Sequence, residues 1–448
     1  MTRIDMLLAA AMATLAAPAL SQPAPFPPPA PAVPLKDGAE LTNGSATIRV
    51  TALTDSILRV RVARGGDFPE DASWAVPAEV RARSVQVHPL ANGFETAALN
   101  VAIDPETLAL TVSDRQGHRI HADSPNPISF DGTKFTLRKA MPVGEQYYGL
   151  GDKTGPFNRR GASYVHWNTD AWGFDRGTDP IYKSIPFTIA SGGAGGAYGL
   201  FLDNSWRSSF DFGHRDENLL AISADNGPID YYLIAGPTVP EVVRRYTDLT
   251  GKAPLPPRWA LGFQQSRYSY MTDAELREVA ARLRSDRIPT DVLWLDIDYQ
   301  DRNRPFTVDK KAFPNLRGLA DDMRRQGFQL VTITDLHIAH APNEKYAAFD
   351  SGMAGDHFLK KPDGSLYVAP VWPGPSVFPD FTRRASREWW GGLYKDFVAD
   401  GIAGFWNDMN EPAIFETPTK TMPLDTMHRF DGNGFTPRTA SHAEAHNV

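Results

Sequence analysis

The chain has 448 residues, 42% of them hydrophobic and 22% charged, which describes a globular protein too long for one ordinary domain. Its formal net charge of −7 lacks the basic face that phosphate backbones require, so nucleic acid is excluded as a partner. It has no cysteine, so neither disulfides nor thiolate chemistry can contribute.

The first element is an apolar run from Met6 to Leu20, followed by Ala19-Leu20-Ser21, a small-x-small cleavage pattern. The run is too short to span a bilayer and fits the core of a signal peptide, giving a secreted or periplasmic protein with no membrane association after cleavage. A Pro/Ala-rich stretch (QPAPFPPPAPAVP) follows and reads as an extended tether. Residues 1–21 are thus expected to be a signal peptide and 22–37 a linker.

From about Leu41 to Ala235 the periodicity is near two. Ile48, Val50 and Ala52 alternate with Arg49 and Thr51, and Leu58, Val60 and Val62 alternate with Arg59 and Arg61. LNVAIDPETLALTV reads as a hairpin turning at Asp104-Pro105, and Asp114 to Gly117 supplies another turn. Such antiparallel strands at short spacing indicate a β-sandwich, assigned to residues 38–253. The glycine-rich piece from Ser191 has no helix after it and reads as a turn between strands, not a phosphate loop.

After Gly236 the period changes. A helix is expected to end at Gly251, the prolines of KAPLPP form the boundary, and residues 254–448 form the second domain. There WALGF reads as a first strand. A capping box at Thr272 and Glu275 opens a helix with Leu276, Val279, Ala280 and Leu283 on one face. DVLWLDID is an apolar second strand suited to a parallel sheet. The next helix carries Leu316, Leu319, Ala320 and Met323, and QLVTITDL is the third strand. A long insertion leads to a helix around Trp389, Leu393 and Phe397, and IAGFWND is the fourth strand.

Four βα units point to a (β/α)₈ barrel or a doubly wound sheet. No dinucleotide-type glycine fingerprint follows any of the strands, which weighs against the second. The tail after Pro412 reads as loop, with no fifth strand, so the chain reads as incomplete. Polar residues gather where the strands end: Gln264 to Arg267, Asp296 to Asp298, Asp335, and Asn407 to Glu411. Two carboxylates flanking a scissile bond suffice for glycoside hydrolysis, and Asp408 is placed for the nucleophilic role. From spacing alone, each Asp could equally cap a helix or bind a metal ion. His337 and His340, three apart, read as surface or supporting histidines, because no glutamate completes a zinc motif.

GFWNDMNEP (Gly404 to Pro412) resembles the signature of glycoside hydrolase family 31, where the Asp before Met-Asn-Glu is the nucleophile. PPRWALGFQQSRYSY, LDIDYQDRNRPFTVD and VWPGPSVFPDF resemble that family's barrel segments. The stretch from Tyr147 to Phe187 resembles the loop its sandwich sends over the active site. The resemblance implies a galactose-mutarotase-like antiparallel β-sandwich followed by the first half of a (β/α)₈ TIM barrel. It implies a retaining, exo-acting α-glucosidase that takes terminal glucose from α-linked oligosaccharides and requires no cofactor. Carried over residue by residue, Asp408 is the catalytic nucleophile. Asp296 would bind the outer hydroxyls of the innermost glucosyl ring with Ile297 beside it. Trp372, Trp406 and Met409 would shape that subsite, Asp335 would contribute from the third strand, and Asp170 with Tyr268 would reach the neighbouring subsite.

Two departures stand out. Asp335-Leu336 replaces the usual Asp-Pro, and Gln300 stands where Met is usual. The family's acid/base Asp comes from a strand after the fourth and is expected to lie beyond this chain, which alone should have little activity. α-Xylosidase, another activity of the family, or a sugar-binding fragment that does not hydrolyse are the alternatives. Oligomeric state is not encoded in any pattern above.

Overall fold

A computed structural model describes residues 31–448. The expected signal peptide and residues 22–30 of the expected tether lie outside the described residues. The end of that tether is not free chain. Val33–Leu35 pairs antiparallel with Gly38–Thr42 and forms the edge of a sheet. An extended Val-Pro-Leu segment meets an edge strand's needs, because proline is tolerated there.

The N-terminal part is a sandwich of two antiparallel sheets, one of eight strands and one of nine. Ile48, Val50, Leu58 and Val60 face Val101, Leu110, Val112 and Phe210 between the sheets, in one continuous apolar core. The hairpin expected around Asp104 joins Leu99–Ile103 to Leu110–Asp114, and the Asp104 carboxylate accepts the Glu106 and Thr107 N–H groups in its turn. The glycine-rich piece turns between Ser184–Gly193 and Gly196–Leu202.

The strand Ile229–Gly236 is buried along its whole length. Ile229, Tyr231 and Leu233 point into the inter-sheet core, whereas Tyr232 and Ile234 lie under the helix Val239–Thr250 through Val242 and Leu249. That helix starts at Thr238, whose hydroxyl accepts the Glu241 N–H, and stops at Gly251, whose φ of 108° suits glycine.

The second part holds a parallel sheet of four strands in sequence order: Gln264–Gln265, Val292–Leu295, Gln329–Asp335 and Gly404–Asp408. Helices Asp273–Ser285 and Leu316–Arg325 cover it through Leu276, Ala280, Leu319 and Met323. The first caps as the sequence predicts, and the second is capped as well. Thr272 accepts from Glu275 N at 3.1 Å, Glu275 reaches back to Met271 N at 2.8 Å, and Asn315 accepts from Gly318 N at 2.9 Å. This is the first half of a TIM barrel, and the strands' C-terminal ends share one rim.

Two expectations fail in this half. WALGF is not a strand: Arg258–Leu261 forms a 3₁₀ turn and the ladder begins only at Gln264. Pro256 and Pro257 have no N–H to donate and fix the chain in a turn-ready conformation. The tail is not loop. Met427–Gly432 and Phe435–Ser441 form a hairpin that closes through Gly432, Asn433 and Gly434, all at positive φ. Its alternation buries Phe430 against the edge of Trp74, with ring centroids 5.1 Å apart. The insertion after the third strand is a small antiparallel sheet, with Trp372 in the turn between Ala369–Val371 and Gly374–Val377.

Candidate active site

Parallel strands end together at the rim, so side chains far apart in sequence meet there. Asp408 closes the fourth strand in register with Asp335, which closes the third. Asp296 follows directly on the second strand, and its carboxylate accepts the Ile297 N–H at 2.7 Å. The capping reading therefore holds for Asp296, and its second oxygen stays free. Ile297 is 2% exposed and packs in the barrel core.

The electrostatics show that these groups feel one another. Burial pushes the Asp335 carboxyl up to about 8, helped by the charges of Asp408, Asp296 and Glu411. Glu411 is pushed up to about 7 by burial, then by Asp170 and Asp408. Asp296 is raised by burial and by Asp298 and Asp408. A carboxyl titrating at about 8 is mostly protonated at neutral pH and one at about 7 is half protonated; in that form each can donate a hydrogen bond, while ionised neighbours accept. The rim thus offers both donors and acceptors to a polyhydroxylated ligand. Among the described residues no three His, Asp or Glu side chains are grouped as a metal site would require.

His337 lies under this cluster, with Nε2 3.6 Å from Asp335 Oδ2. Its burial holds the ring neutral, with the pKa down to about 3. Asp335 therefore receives no compensating charge from it. His340 instead packs its ring edge-on to Phe349.

Aromatic rings frame the carboxyls. Trp406 stands edge-on to Trp294 at 5.8 Å, and Trp294 Nε1 donates to Gln264 Oε1 at 3.0 Å. Tyr268 and Trp372, 64% and 40% exposed, tilt toward each other at 6.3 Å. Burial, then Asp298 and Asp296, raise the Tyr268 hydroxyl, so it faces the second strand's end. The sandwich loop arrives from the other side. Asp170 and Trp172 join Trp372, Met409 and Phe415 around a cavity of about 400 Å³. Met409 takes φ 63° directly after Asp408 and turns the chain away from the strand. A larger cavity, about 960 Å³, lies between the sandwich and the C-terminal hairpin and is lined by none of the barrel-strand residues.

The structure therefore gathers Asp408, Asp335, Asp296, Asp170, Tyr268, Trp372, Trp406 and Met409 around one mouth, with Ile297 beneath it. Sequence reasoning placed Glu411 in the strand-end cluster without giving it a role, and passed over Tyr182. Tyr182 is raised by burial and by Asp170, Glu411 and Asp408, which brings it to the same mouth. Both lie inside the motif segments quoted above, but nothing in their local pattern separates them from ordinary loop residues.

Comparison with known proteins agrees with the two-part fold. Residues 253–448 match the Glycosyl hydrolases family 31 TIM-barrel domain, and residues 47–211 match the Glycosyl hydrolase 31 N-terminal galactose mutarotase-like domain. Alpha-glucosidase 2 of Bacillus thermoamyloliquefaciens is 37% identical over 407 residues, which is 90% of this chain and 50% of that protein. The alpha-glucosidase of Saccharolobus solfataricus is 35% identical over 284 residues, covering 63% of this chain and 40% of the relative. The chain spans half or less of these curated relatives. A family 31 dextranase of Flavobacterium johnsoniae, solved as a mutant with isomaltotriose, superimposes with a TM-score of 0.83 at 28% identity. That match covers 92% of this chain and 50% of the dextranase.

Proposed function

Since the chain belongs to glycosyl hydrolase family 31, we propose that it is the nucleophile-bearing part of a retaining α-glucosidase that removes terminal glucose from α-linked oligosaccharides. The observation that carries this reading is the meeting of Asp408, Asp335, Asp296 and Glu411 at the strand ends beneath an aromatic rim.

In the first step an Asp408 oxygen attacks the anomeric carbon while the bond to the leaving oxygen breaks. That oxygen takes a proton from an acid carboxyl, which in a retaining pair stands roughly 5–5.5 Å from the nucleophile. The resemblance assigns the acid to a later barrel strand. Water then gives its proton to the same group, attacks the anomeric carbon, and releases glucose and free Asp408. Asp296 accepts from the ring's outer hydroxyls, while protonated Asp335 and Glu411 donate to its oxygens. Trp372 and Trp406 pack on its apolar face. We infer from the N-terminal run that the reaction takes place after export; an alkaline phosphatase fusion to residues 1–40 that stays inactive would overturn that inference.

A glucosyl fluoride tests the nucleophile without needing the acid, because fluoride leaves with little help from a proton. A 5-fluoro-α-glucosyl fluoride should leave its sugar esterified to Asp408, located by peptide mass mapping and absent in Asp408→Asn. A label on another carboxyl, or none under conditions where the sugar binds, refutes the assignment. Aryl α-xylosides cleaved faster than aryl α-glucosides would move the reading to an α-xylosidase.

A further inference from the structure

Asp170 reaches the mouth on a stretch of sandwich with no regular secondary structure, so something else must fix its position. Within the sandwich, the Ser184 N–H donates to Asn168 Oδ1 at 2.9 Å and the Thr169 N–H to the Tyr182 carbonyl at 3.3 Å. The remaining contacts come from the chain's C-terminal turn. Asn168 donates its N–H to Asn447 Oδ1 at 3.0 Å and its side-chain amide to the His446 carbonyl at 3.3 Å. Its own carbonyl lies 2.7 Å from His446 Nε2. Asn447 in turn donates to the carbonyls of His166 and Trp206, at 3.2 and 3.4 Å. The His446 ring stacks on Trp167 with centroids 3.8 Å apart.

His446 ends a buried chain of three imidazoles. Its Nδ1 is 3.0 Å from His442 Nε2, and His442 Nδ1 is 3.1 Å from His428 Nε2. His428 Nδ1 faces Asp380 Oδ1 at 3.6 Å, and Thr421 Oγ1 sits between His442 and His446 at 3.0 and 3.3 Å. The far end dictates where the protons lie. A carbonyl only accepts, so His446 Nε2 carries the hydrogen and a neutral His446 accepts at Nδ1. His442 must then donate from Nε2 and accept at Nδ1, and His428 must donate from Nε2. Reversing the order would bring two lone pairs face to face at 3.0 Å between His442 and His446.

We propose that His446 is a positioning residue for Asp170: the directed imidazole chain presents one N–H to the Asn168 carbonyl and so sets where Asp170 meets the sugar. This rests on the proposed role of Asp170 in the subsite next to the innermost one. The chain also sets a lower pH limit. A proton added to His446 puts two N–H groups on its 3.0 Å contact with His442, and one added to His442 does so on its 3.1 Å contact with His428. The groups facing the chain do not offset this. Asp380 is at the far end and already accepts from Thr382 and Arg429, while Arg207 is beside Trp167 and repels an added charge.

Two substitutions separate the N–H from the stacking. His446→Phe keeps a ring on Trp167 but has no donor, whereas His446→Gln carries an amide N–H near the Nε2 position. Hydrogen exchange at the Asn168 amide should rise about tenfold or more in His446→Phe and less in His446→Gln. The dissociation constant for a disaccharide should rise about fivefold in His446→Phe, and His446→Gln should recover part of the loss. Should His446→Phe prove unstable, Asn447→Ala removes the acceptor of the same Asn168 N–H and should give the same exchange result. Wild-type exchange at Asn168 in these variants overturns the latch. Faster exchange with unchanged Kd overturns the positioning role, provided that Asp170→Asn raises Kd. If Asp170→Asn leaves Kd unchanged, the subsite reading fails instead, and the exchange response to His446→Phe tells that failure from failure of the latch.

Discussion

Two strands show how differently the halves of this molecule are built. Ile229–Gly236 of the sandwich is paired on both sides and buried at every residue. Gly404–Asp408 of the barrel sheet pairs with Val331 to Asp335 and runs out at the rim. The first strand spends its side chains on two cores and has none left for chemistry. The second packs Trp406 against Trp294, gives Asn407 to the Tyr394 hydroxyl, and delivers Asp408 to the mouth. Stability and chemistry are thus assigned to different strands, joined by a loop and a latch.

The comparison is broken most severely from the sandwich side. Phe210 is fully buried between the sheets, and Phe210→Ala should cost about 3–5 kcal/mol. The measurement is denaturant unfolding together with fluoroglucoside labelling. Labelling of Asp408 should persist wherever the variant is still folded, and its loss under native conditions would show that the two halves are not separable.

A comparable effect comes from pH. Asp335 titrates at about 8 in the folded chain, above its usual range, so the unfolded chain releases this proton first as pH rises. Stability should therefore fall between about pH 4 and 8 and level off above that. Asp335→Asn removes the group, so its melting temperature should vary less across that window and exceed wild type at pH 8. A variant that follows the wild-type curve would show that Asp335 is ionised in the folded protein.

The smallest effect is local. Thr272→Ala should cost about 1 kcal/mol by leaving the Glu275 N–H without its cap. Exchange in the helix Asp273–Ser285 should quicken while the sandwich amides keep their rates.

These elements also mark how far the sequence could be read. Helix limits were legible because caps are local: Thr272 and Gly251 each act within four residues. The rim carboxyls were legible because a parallel strand's end is marked by its last apolar residue. The 3₁₀ turn at Arg258–Leu261 was not, since an apolar run of five looks alike in either form until the prolines before it are weighed. The hairpin from Met427 escaped because its inward residues, His428 and Phe430, are buried by partners distant in sequence. The role of Glu411 escaped for the same reason, as its protonation depends on Asp170 and Asp408, which only the fold brings near.

Met409 carries a consequence for which residues that position tolerates. Its φ of 63° is a backbone state that glycine and asparagine accept readily and β-branched residues resist. Its side chain, however, lines the mouth beside Asp170 and Trp372, where glycine would leave a gap. Backbone and pocket therefore select opposite sets of amino acids. An unbranched, flexible thioether satisfies both at a modest conformational cost. A saturation library at this codon should separate accordingly. Glycine and asparagine should keep the fold but bind sugar poorly, leucine should come nearest to methionine, and valine and isoleucine should fail on both counts.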